Sequence, residues 1–295
     1  MKSSTKRKLK SFFTAPVIVS MIILLIVIIL AVFANTIAKY DPNEIDITSM
    51  LKGPSVEHII GTDKSGRDMF ARLLFGARTT LLSAFAVIII SVMIGVPTGL
   101  ISGYFGGLAD KILMRISDVI LSFPCLLLAF VFVSAFGRGL INAILALGIV
   151  YVPMLAKLTR SLVLVEKNKV YVEAAKSIGF SDLNIMFVQI LPNCIATLVV
   201  QLTLDIGYAI LDLAAMSFLG LGVQPPTADW GAMLEEGRIV ITTAPLVAIA
   251  PGIMIIVTVV ALNIFGDGVR SYLDPTQRKV PSLRKFRKMV GAENE

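Results

Sequence analysis

The sequence predicts an all-α integral membrane protein with six transmembrane helices, and three observations support this fold class. Hydrophobic residues make up 56% of the 295 positions, and the mean hydropathy is +0.84. Charged residues account for only 16% of the chain, whereas soluble domains carry about 25%. The apolar residues are gathered in runs of roughly 20, the length that crosses a bilayer as a helix.

The first apolar run covers residues 17–34 and follows a basic stretch that contains no acidic residue. It holds eighteen uncharged residues. The apolar region of a cleaved signal peptide is about 7–15 residues long and ends at a small-residue cleavage site. We therefore expect an uncleaved first transmembrane helix.

The polar segment that follows, residues 39–78, contains the glycine spacing of a phosphate-binding loop. In such a loop Lys and Ser or Thr follow the second glycine and contact phosphate and magnesium. Here Arg67 and Asp68 follow Gly66, so nucleotide binding is rejected. Ser65 and Asp68 instead have the spacing of a helix capping box, which predicts a short amphipathic helix at the membrane surface. Its apolar face would be formed by Met69, Phe70, Leu73, Leu74 and Ala77.

Five further spans are expected from the remaining apolar runs. Glycine and proline inside them are tolerated because neighbouring helices satisfy the freed backbone groups. The expected spans are residues 81–101, 116–135, 140–158, 195–218 and 244–265. Between the last two, the segment 219–243 is rich in Gly and Pro and is expected to be a loop.

A polar island at residues 171–193 interrupts the apolar runs. The four residues from Glu173 are good helix formers, and Gly179 can end that helix because glycine accepts positive φ. Ser181 can cap a second helix, which Pro192 should end or bend because proline biases the preceding residue away from helix. We expect two short helices joined by a sharp turn, a shape suited to insertion into a groove of another protein.

The distribution of Lys and Arg predicts the orientation of the chain. With six spans, 19 of the 27 basic residues fall on the side that carries both termini and residues 171–193, and 8 fall on the other side. Because basic loops tend to stay in the cytoplasm, both termini and the 171–193 segment are expected to be cytoplasmic. The net charge of +7 then reflects topology and contact with anionic membrane lipid rather than nucleic acid.

Two acidic residues, Asp205 and Asp212, lie within the fifth span, and their spacing of seven positions places them on nearly one helical face. Ionisable residues inside a span usually face the bundle interior or a watery path. These two could line a translocation path, pair with Lys or Arg of a neighbouring helix, or, for Asp212, lie near the membrane interface. Asp118, near the end of its span, is expected to be structural.

No pattern in the sequence indicates catalysis or a bound metal. The two cysteines, Cys125 and Cys194, form neither a disulfide framework nor a metal-binding pair. His58 stands alone in a polar loop, where we expect it to be solvated. No nucleophile is accompanied by a base, as an enzyme would require, so we expect no catalytic residues and no metal site.

The polar island resembles the EAA loop of permease subunits in ATP-binding-cassette (ABC) importers. The family has an apolar residue two positions before its Leu-Pro pair, where this chain has Gln189. The other motif positions agree. The matching residues are Glu173, Ala174, Ala175, Gly179, Leu191 and Pro192.

Three further segments resemble the dipeptide, oligopeptide and nickel branch of that family, and together the matches cover most of the chain. Trp230 could also be no more than an interfacial anchor. The segments are Gly-Thr-Asp-x-x-Gly-Arg-Asp at 61–68, Ser-Phe-Leu-Gly-Leu-Gly at 217–222 with Pro225-Pro226 and Trp230-Gly231, and Leu-Asp-Pro at 273–275.

The resemblance implies a type I ABC importer permease fold and a non-catalytic subunit in the cell membrane of a prokaryote. Its partners would be a second permease subunit, two ABC ATPase subunits and an extracytoplasmic substrate-binding protein. ATP and Mg would bind on the ATPases, so this chain would hold no cofactor. The EAA residues would couple ATPase movement to the spans. The substrates would be di- or oligopeptides, or nickel and related metal chelates.

The expected organisation has three parts. Residues 1–78 hold a cytoplasmic N-terminal tail, the first span and the extracytoplasmic amphipathic segment. Residues 79–268 form the core transmembrane domain, and residues 269–295 form a basic cytoplasmic tail. The alternative is a self-contained secondary transporter or channel, which usually shows internal repeats, and none is visible. A membrane-embedded enzyme ranks behind both.

Overall fold

The computed structural model describes residues 14–273, and this part of the chain is predominantly helical. The basic N-terminal stretch and most of the tail expected at 269–295 lie outside the described residues. A 3₁₀ turn covers Ile47–Ser49. The α-helices are α1 (Ala15–Val32), α2 (Ala34–Ile37), α3 (Met69–Phe105), α4 (Gly107–Leu121), α5 (Cys125–Phe136), α6 (Leu140–Glu166), α7 (Val170–Ser177), α8 (Asp182–Asn184), α9 (Leu191–Phe218), α10 (Trp230–Ile239) and α11 (Leu246–Leu273).

Among the described residues, five helices are long and apolar enough to cross a membrane. They are α1, α3, α6, α11 and the continuous helix Asp182–Phe218, which contains α8 and α9. The helices α4 and α5 pass the same test only as a pair, and they meet at an angle of 90°. If that pair is one broken span, the count is the six expected from the sequence, and the all-α membrane fold class is confirmed.

The third expected span is broken rather than continuous. Helix α4 ends at Leu121, and α5 begins at Cys125 after Pro124, whose φ is −58° and ψ is 130°. Proline has no amide hydrogen and disfavours helix at the residue before it. The expectation of an unbroken helix over residues 116–135 is therefore wrong.

Helix α3 corrects a second expectation, that of a separate amphipathic helix on the membrane surface. The carboxylate of Asp68 accepts a hydrogen bond from the amide of Ala71 at 2.7 Å, and from this cap one helix of 37 residues runs to Phe105. Met69 and Leu73 are buried in the protein core. The apolar face therefore packs against protein instead of lipid, because the helix continues directly into the span.

Glycines bring α3 and α6 close together. Gly95, Gly99 and Gly103 recur every four residues along α3, and a Cβ atom at Gly103 would lie 2.8 Å from the Cβ atom of Val163 on α6. Small residues at this spacing allow two membrane helices to approach closely. These glycines do not interrupt the second span; they form its contact with the fourth.

The loops gather at two ends of the bundle. At one end, residues 38–68 and 219–243 pack against each other, and we call these two segments the cap. The turn at Gly139 joins this end, since its amide donates to the carbonyl of Leu221 at 3.2 Å. At the other end lie residues 171–193, which we call the connector. These are the loops that the charge distribution assigns to opposite sides of the membrane.

The cap contains a helix where only a loop was expected. Helix α10 begins at Trp230, and the Asp229 carboxylate caps it by accepting from the amides of Gly231 and Ala232 at 3.0 and 3.1 Å. Trp230 is fully buried, and its indole Nε1 donates to the carbonyl of Leu73 at 3.0 Å. The alternative interpretation of Trp230 as an interfacial anchor is therefore wrong.

Candidate functional site

The connector turns sharply at Gly179, as the sequence predicts. Gly179 has a φ of +89°, which favours glycine, and its amide donates to the carbonyl of Lys176 at 3.0 Å. The amide of Phe180 donates to the carbonyl of Ala175 at 3.1 Å. These two bonds form a Schellman motif, which ends α7 and satisfies its last carbonyl groups. Ser181 then caps the second helix, also as predicted.

The second connector helix does not end at Pro192. Leu191 has helical φ and ψ of −55° and −44°, and the helix continues through Phe218. A π-helical turn, Ile185–Ile190, precedes the proline. The proline therefore lies in the first turn of the following α-helical part, where a missing amide hydrogen costs no α-helical bond. The helix therefore does not end at Pro192, and a π-helical turn precedes the proline instead.

The six residues expected to couple to an ATPase do not all face outward. Leu191 is half-buried. Ala175 is only 6% exposed and packs with Val172 and Ile185 in a small core beneath the connector. Ala175 therefore holds the connector together and offers little surface to a partner. Four of the six are exposed: Glu173, Ala174, Gly179 and Pro192.

The tip of the connector exposes large apolar side chains that sequence reasoning missed. Apolar residues alternate with polar ones along residues 171–193, and this alternation is the signal in the sequence that indicates an apolar surface. Large apolar groups exposed at the end of a bundle, outside the spans, are typical of a protein interaction site. The exposed residues are Ile178, Phe180, Leu183, Phe187 and Val188.

Polar contacts attach both helices of the connector to the ends of α3 and α6. The hydroxyl of Tyr104 on α3 donates to the Asp182 carboxylate at 2.6 Å, and the Lys176 ammonium lies 5.2 Å from the centre of the Tyr104 ring. The hydroxyl of Tyr171 donates to the Glu166 carboxylate at 2.8 Å. Burial, together with this negative acceptor, raises the pKa of Tyr171 to about 12, so the hydroxyl stays protonated as a donor.

The two acids of the fifth span have neutral partners. Asp205 is 8% exposed, and its Oδ1 accepts from the Gln201 side-chain amide at 2.8 Å. Asp212 is half-buried, and its Oδ2 accepts from the Tyr151 hydroxyl at 2.6 Å and from the Cys125 thiol at 3.9 Å. Neither carboxylate forms an ion pair with any residue between 14 and 273. Pairing with a neighbouring Lys or Arg is therefore excluded within this range.

Asp118 behaves as the structural residue that was expected. Its carboxylate on α4 accepts from the Lys157 ammonium on α6 at 2.5 Å. Both side chains are largely exposed, so the pair lies on the surface of the bundle and contributes about 0–1 kcal/mol.

A network of buried charges joins the two segments of the cap. Arg67 donates through Nε to Asp63 Oδ2 at 2.6 Å and through Nη2 to Glu236 Oε2 at 2.7 Å. Arg72 Nη2 donates to the same Glu236 oxygen at 3.2 Å. All four side chains are nearly inaccessible to solvent. Sequence reasoning missed this network because Glu236 follows Arg67 by 169 positions.

His58 is part of the cap and is not solvated as expected. Its Nδ1 lies 2.9 Å from Asp68 Oδ1, and its ring centre is 5.0 Å from that of Tyr40. Both side chains of the His58–Asp68 pair are buried. Across residues 14–273, no group of three His, Cys, Asp or Glu side chains is arranged to hold a metal ion. His58 therefore serves as a packing and hydrogen-bonding residue.

Two family models match the chain. One, described as "Binding-protein-dependent transport system inner membrane component", matches residues 95–279. The other, described as "N-terminal TM domain of oligopeptide transport permease C", matches residues 16–54. The first match contains the connector and both acids of the fifth span.

Three similar proteins are named as transport permeases. The Di/tripeptide transport system permease protein DppC of Pseudomonas aeruginosa is 43% identical over 86% of this chain and 86% of its own length. The Glutathione transport system permease protein GsiD of Pectobacterium atrosepticum is 43% identical over 85% and 84%. The Probable D,D-dipeptide transport system permease protein DdpC of Escherichia coli K12 is 42% identical over 88% and 87%.

The solved structures provide a comparison of the fold. A chain of the MetNI methionine ABC transporter, in an inward-facing conformation, matches with a TM-score of 0.56 and 21% identity. The match covers 68% of this chain and 96% of that chain. The ABC importer permease fold expected from the sequence is thereby confirmed.

Proposed function

The chain belongs to the family of inner membrane components of binding-protein-dependent transport systems, and we propose that it conducts short peptides. It is a permease subunit of an ABC importer and a multi-pass inner membrane protein. This membership decides against a self-contained secondary transporter or channel. Peptides are favoured over nickel or other metal chelates because the similar permeases are named for dipeptides, tripeptides and glutathione.

The proposed complex contains a second permease subunit, two ABC ATPase subunits and an extracytoplasmic substrate-binding protein. ATP and Mg would bind on the ATPases, and this chain would contribute neither a cofactor nor catalytic residues. The connector and both termini would lie in the cytoplasm, with the cap outside. The distribution of 19 basic residues against 8 supports this orientation.

The apolar tip of the connector carries the proposal that this segment contacts an ATPase. Ile178 and Phe180 flank the turn at Gly179, and both side chains are exposed. The exposed Glu173 carboxylate has no hydrogen bond or ion pair in the part of the chain that the structure describes. An apolar tip beside a free carboxylate suits a groove that offers apolar walls and an Arg.

A push on the connector would pass directly into the fifth span. The helix Asp182–Phe218 contains 37 residues and is therefore about 55 Å long, from the connector to the cap. Because it is continuous, closure of the ATPases would tilt it as a rigid body. Asp205 and Asp212 lie on this helix, so the same movement would change what these acids face.

Co-purification of the ATPase separates contact at the connector from general damage to the fold. Ile178→Asp should lower the ATPase retained by the purified complex at least about tenfold, because burying an unpaired charge costs several kcal/mol. The matched control is Ile47→Asp, which changes an equally exposed isoleucine in the cap and should retain the ATPase. Uptake of labelled dialanine is measured in parallel. Full uptake and full ATPase retention with Ile178→Asp would refute the proposed contact.

A further inference from the structure

Helix α9 carries a stripe of polar side chains that runs from the connector end toward the cap. Successive members are four, four, three and four positions apart, so they share one helical face. The members are Thr197, Gln201, Asp205, Tyr208 and Asp212.

The connector end of this stripe opens into a cavity. The cavity has a volume of ≈ 460 Å³, and it is lined by residues of α6, α9 and α11, including Thr197, Gln201 and Arg270. A polar stripe that starts at an open cavity and runs along an apolar span is typical of a solute path. The stripe ends at Asp212, whose carboxylate accepts hydrogen bonds from two other helices.

Three helices meet at the Asp212 carboxylate. Tyr151 donates to it from α6, and Cys125 donates to it from the first residue of α5, directly after the 90° break. Asp212 precedes the end of α9 by six residues, and Tyr151 follows the start of α6 by eleven. At 1.5 Å per residue these separations are roughly 9–17 Å from the cap end, a depth within the hydrocarbon core of a bilayer.

Asp212 is more accessible to a passing group than Asp205, although each carboxylate has one oxygen without a hydrogen bond among residues 14–273. Asp205 is buried and takes its hydrogen bond from Gln201 on its own helix. Both donors to Asp212 use its Oδ2, and Oδ1 has no partner within residues 14–273. Asp212 is only half-buried, and Tyr208, one turn away on the stripe, is 58% exposed.

No Lys or Arg among residues 14–273 forms an ion pair with Asp212. A carboxylate inside a span is costly unless a cation or strong donors compensate it, and its donors here are a neutral hydroxyl and a thiol. A cation that reached Oδ1 would complete the site. The neighbouring Tyr208 ring would add a further surface that attracts cations.

We propose that Asp212 is a cation-accepting site in the translocation path, and that it receives the ammonium group of the substrate. Tyr151 and Cys125 hold Oδ2, and Oδ1 faces the passing group. The inference rests on the proposed function, since a peptide with a free amino terminus carries such an ammonium group. It assigns Asp205 to structure and Asp212 to selection.

Cys125 provides a direct measurement of the local charge, because its thiol contacts the carboxylate. The complete transporter in lipid nanodiscs, with Cys194→Ala as background, is treated with a cationic trimethylammonium-ethyl thiosulfonate or with neutral methyl methanethiosulfonate. The ratio of the two modification rates cancels changes in thiol ionisation. We expect this ratio to fall about tenfold in Asp212→Asn, since opposite charges a few Å apart attract strongly in a partly buried site.

Asp212→Asn keeps an acceptor oxygen for Tyr151, so its fold is expected to be retained. The matched control is Asp118→Asn. It removes a surface carboxylate from the broken span that also carries Cys125, and it should leave the ratio of modification rates unchanged. An unchanged ratio in Asp212→Asn would overturn the proposal. So would a Cys125 thiol that neither reagent reaches during ATP turnover, because the site would then lie outside any aqueous path.

Transport provides the second measurement. With the binding protein saturated by dialanine, Asp212→Asn should lower uptake per ATP hydrolysed about tenfold, and Asp212→Glu should restore most of it. Uptake unchanged by Asp212→Asn would overturn the proposal, even if the thiol ratio falls. If the unmodified transporter carries no peptide while the thiol ratio falls as expected, the peptide function fails and the cation site stands.

Discussion

The cap and the connector lie at opposite ends of the same helices, and they differ in where their charged side chains lie. The cap buries charged side chains: Arg67 and Glu236 form an ion pair inside it, and Arg72 of α3 pairs with the same Glu236 carboxylate. The connector exposes apolar side chains such as Ile178, which is 76% exposed. The buried charge network thus belongs to the cap, whereas large apolar side chains are exposed at both ends.

The buried charge network has a consequence for the shape of the cap. A buried charge network costs desolvation and is retained only where its partners are held in one geometry, so the cap has a fixed shape within this chain. Exposed apolar surface is unfavourable in water until a partner covers it. The exposed apolar side chains of the connector therefore support the proposal that another protein covers it.

The largest expected effect is an all-or-none difference in labelling between the two ends. In a chain whose Cys125 and Cys194 are replaced by Ala, a cysteine replaces either Val56 in the cap or Lys176 in the connector. Intact cells are treated with an impermeant thiol reagent. Val56→Cys should react and Lys176→Cys should react only after the membrane is opened. Labelling of Lys176→Cys in intact cells would reverse the proposed orientation.

The next largest effect should come from breaking the charge network of the cap. Glu236→Gln leaves Arg67 and Arg72 with one carboxylate fewer, and the loss of one buried partner costs about 3–5 kcal/mol. The chain has one tryptophan, Trp230, so its fluorescence during heating reports the cap directly. Unfolding of the cap should shift to a lower temperature, while ATPase binding at low temperature persists.

Glu235→Gln is the matched control for this measurement. The neighbouring Glu235 is half-buried, and it is not part of an ion pair in residues 14–273. The control should change the transition temperature little. Equal effects of the two substitutions would show that the network does not hold the cap together.

A smaller effect on the fold, with a large effect on coupling, is expected from Gly179→Val. A side chain at φ +89° costs about 1–2 kcal/mol, but a Cβ atom there meets no other atom of this chain within 4 Å. The spans should therefore insert normally. Because coupling between sites is typically about 1–3 kcal/mol, uptake or ATPase retention should fall. The measurement combines membrane level, ATPase co-purification and dialanine uptake in the same cells.

Ser177→Val, at a helical position of the same connector, is the matched control for Gly179→Val and should preserve uptake. Normal uptake with the ATPase retained in Gly179→Val would show that the connector does not couple the two subunits. The exposed apolar residues of the connector would then need an explanation other than coupling to an ATPase.

The elements that were predictable depend on residues close together in the sequence. The long spans follow from contiguous apolar runs, whose length alone is sufficient to cross a bilayer. The turn at Gly179 follows from the ability of glycine to adopt positive φ beside good helix formers. Family membership could be inferred in the same way, since its motifs are short and ordered along the chain.

Tertiary structure decided the features that depend on distant partners. Glu236 meets Arg67 across 169 positions, and Ala175 is buried because Ile185 folds back beneath it. Helix α3 continues through the expected boundary because the bundle covers its apolar face.

The same contrast explains the acids of the fifth span. Helical spacing alone places Asp205 and Asp212 on one face, but it does not distinguish between them. Tyr151 and Cys125 come from two other helices and hold Asp212, whereas Asp205 is bonded by Gln201 of its own helix and is more deeply buried. Local backbone preference and hydropathy belong to neighbouring residues, whereas the partner of a buried polar group is determined by which helices pack together.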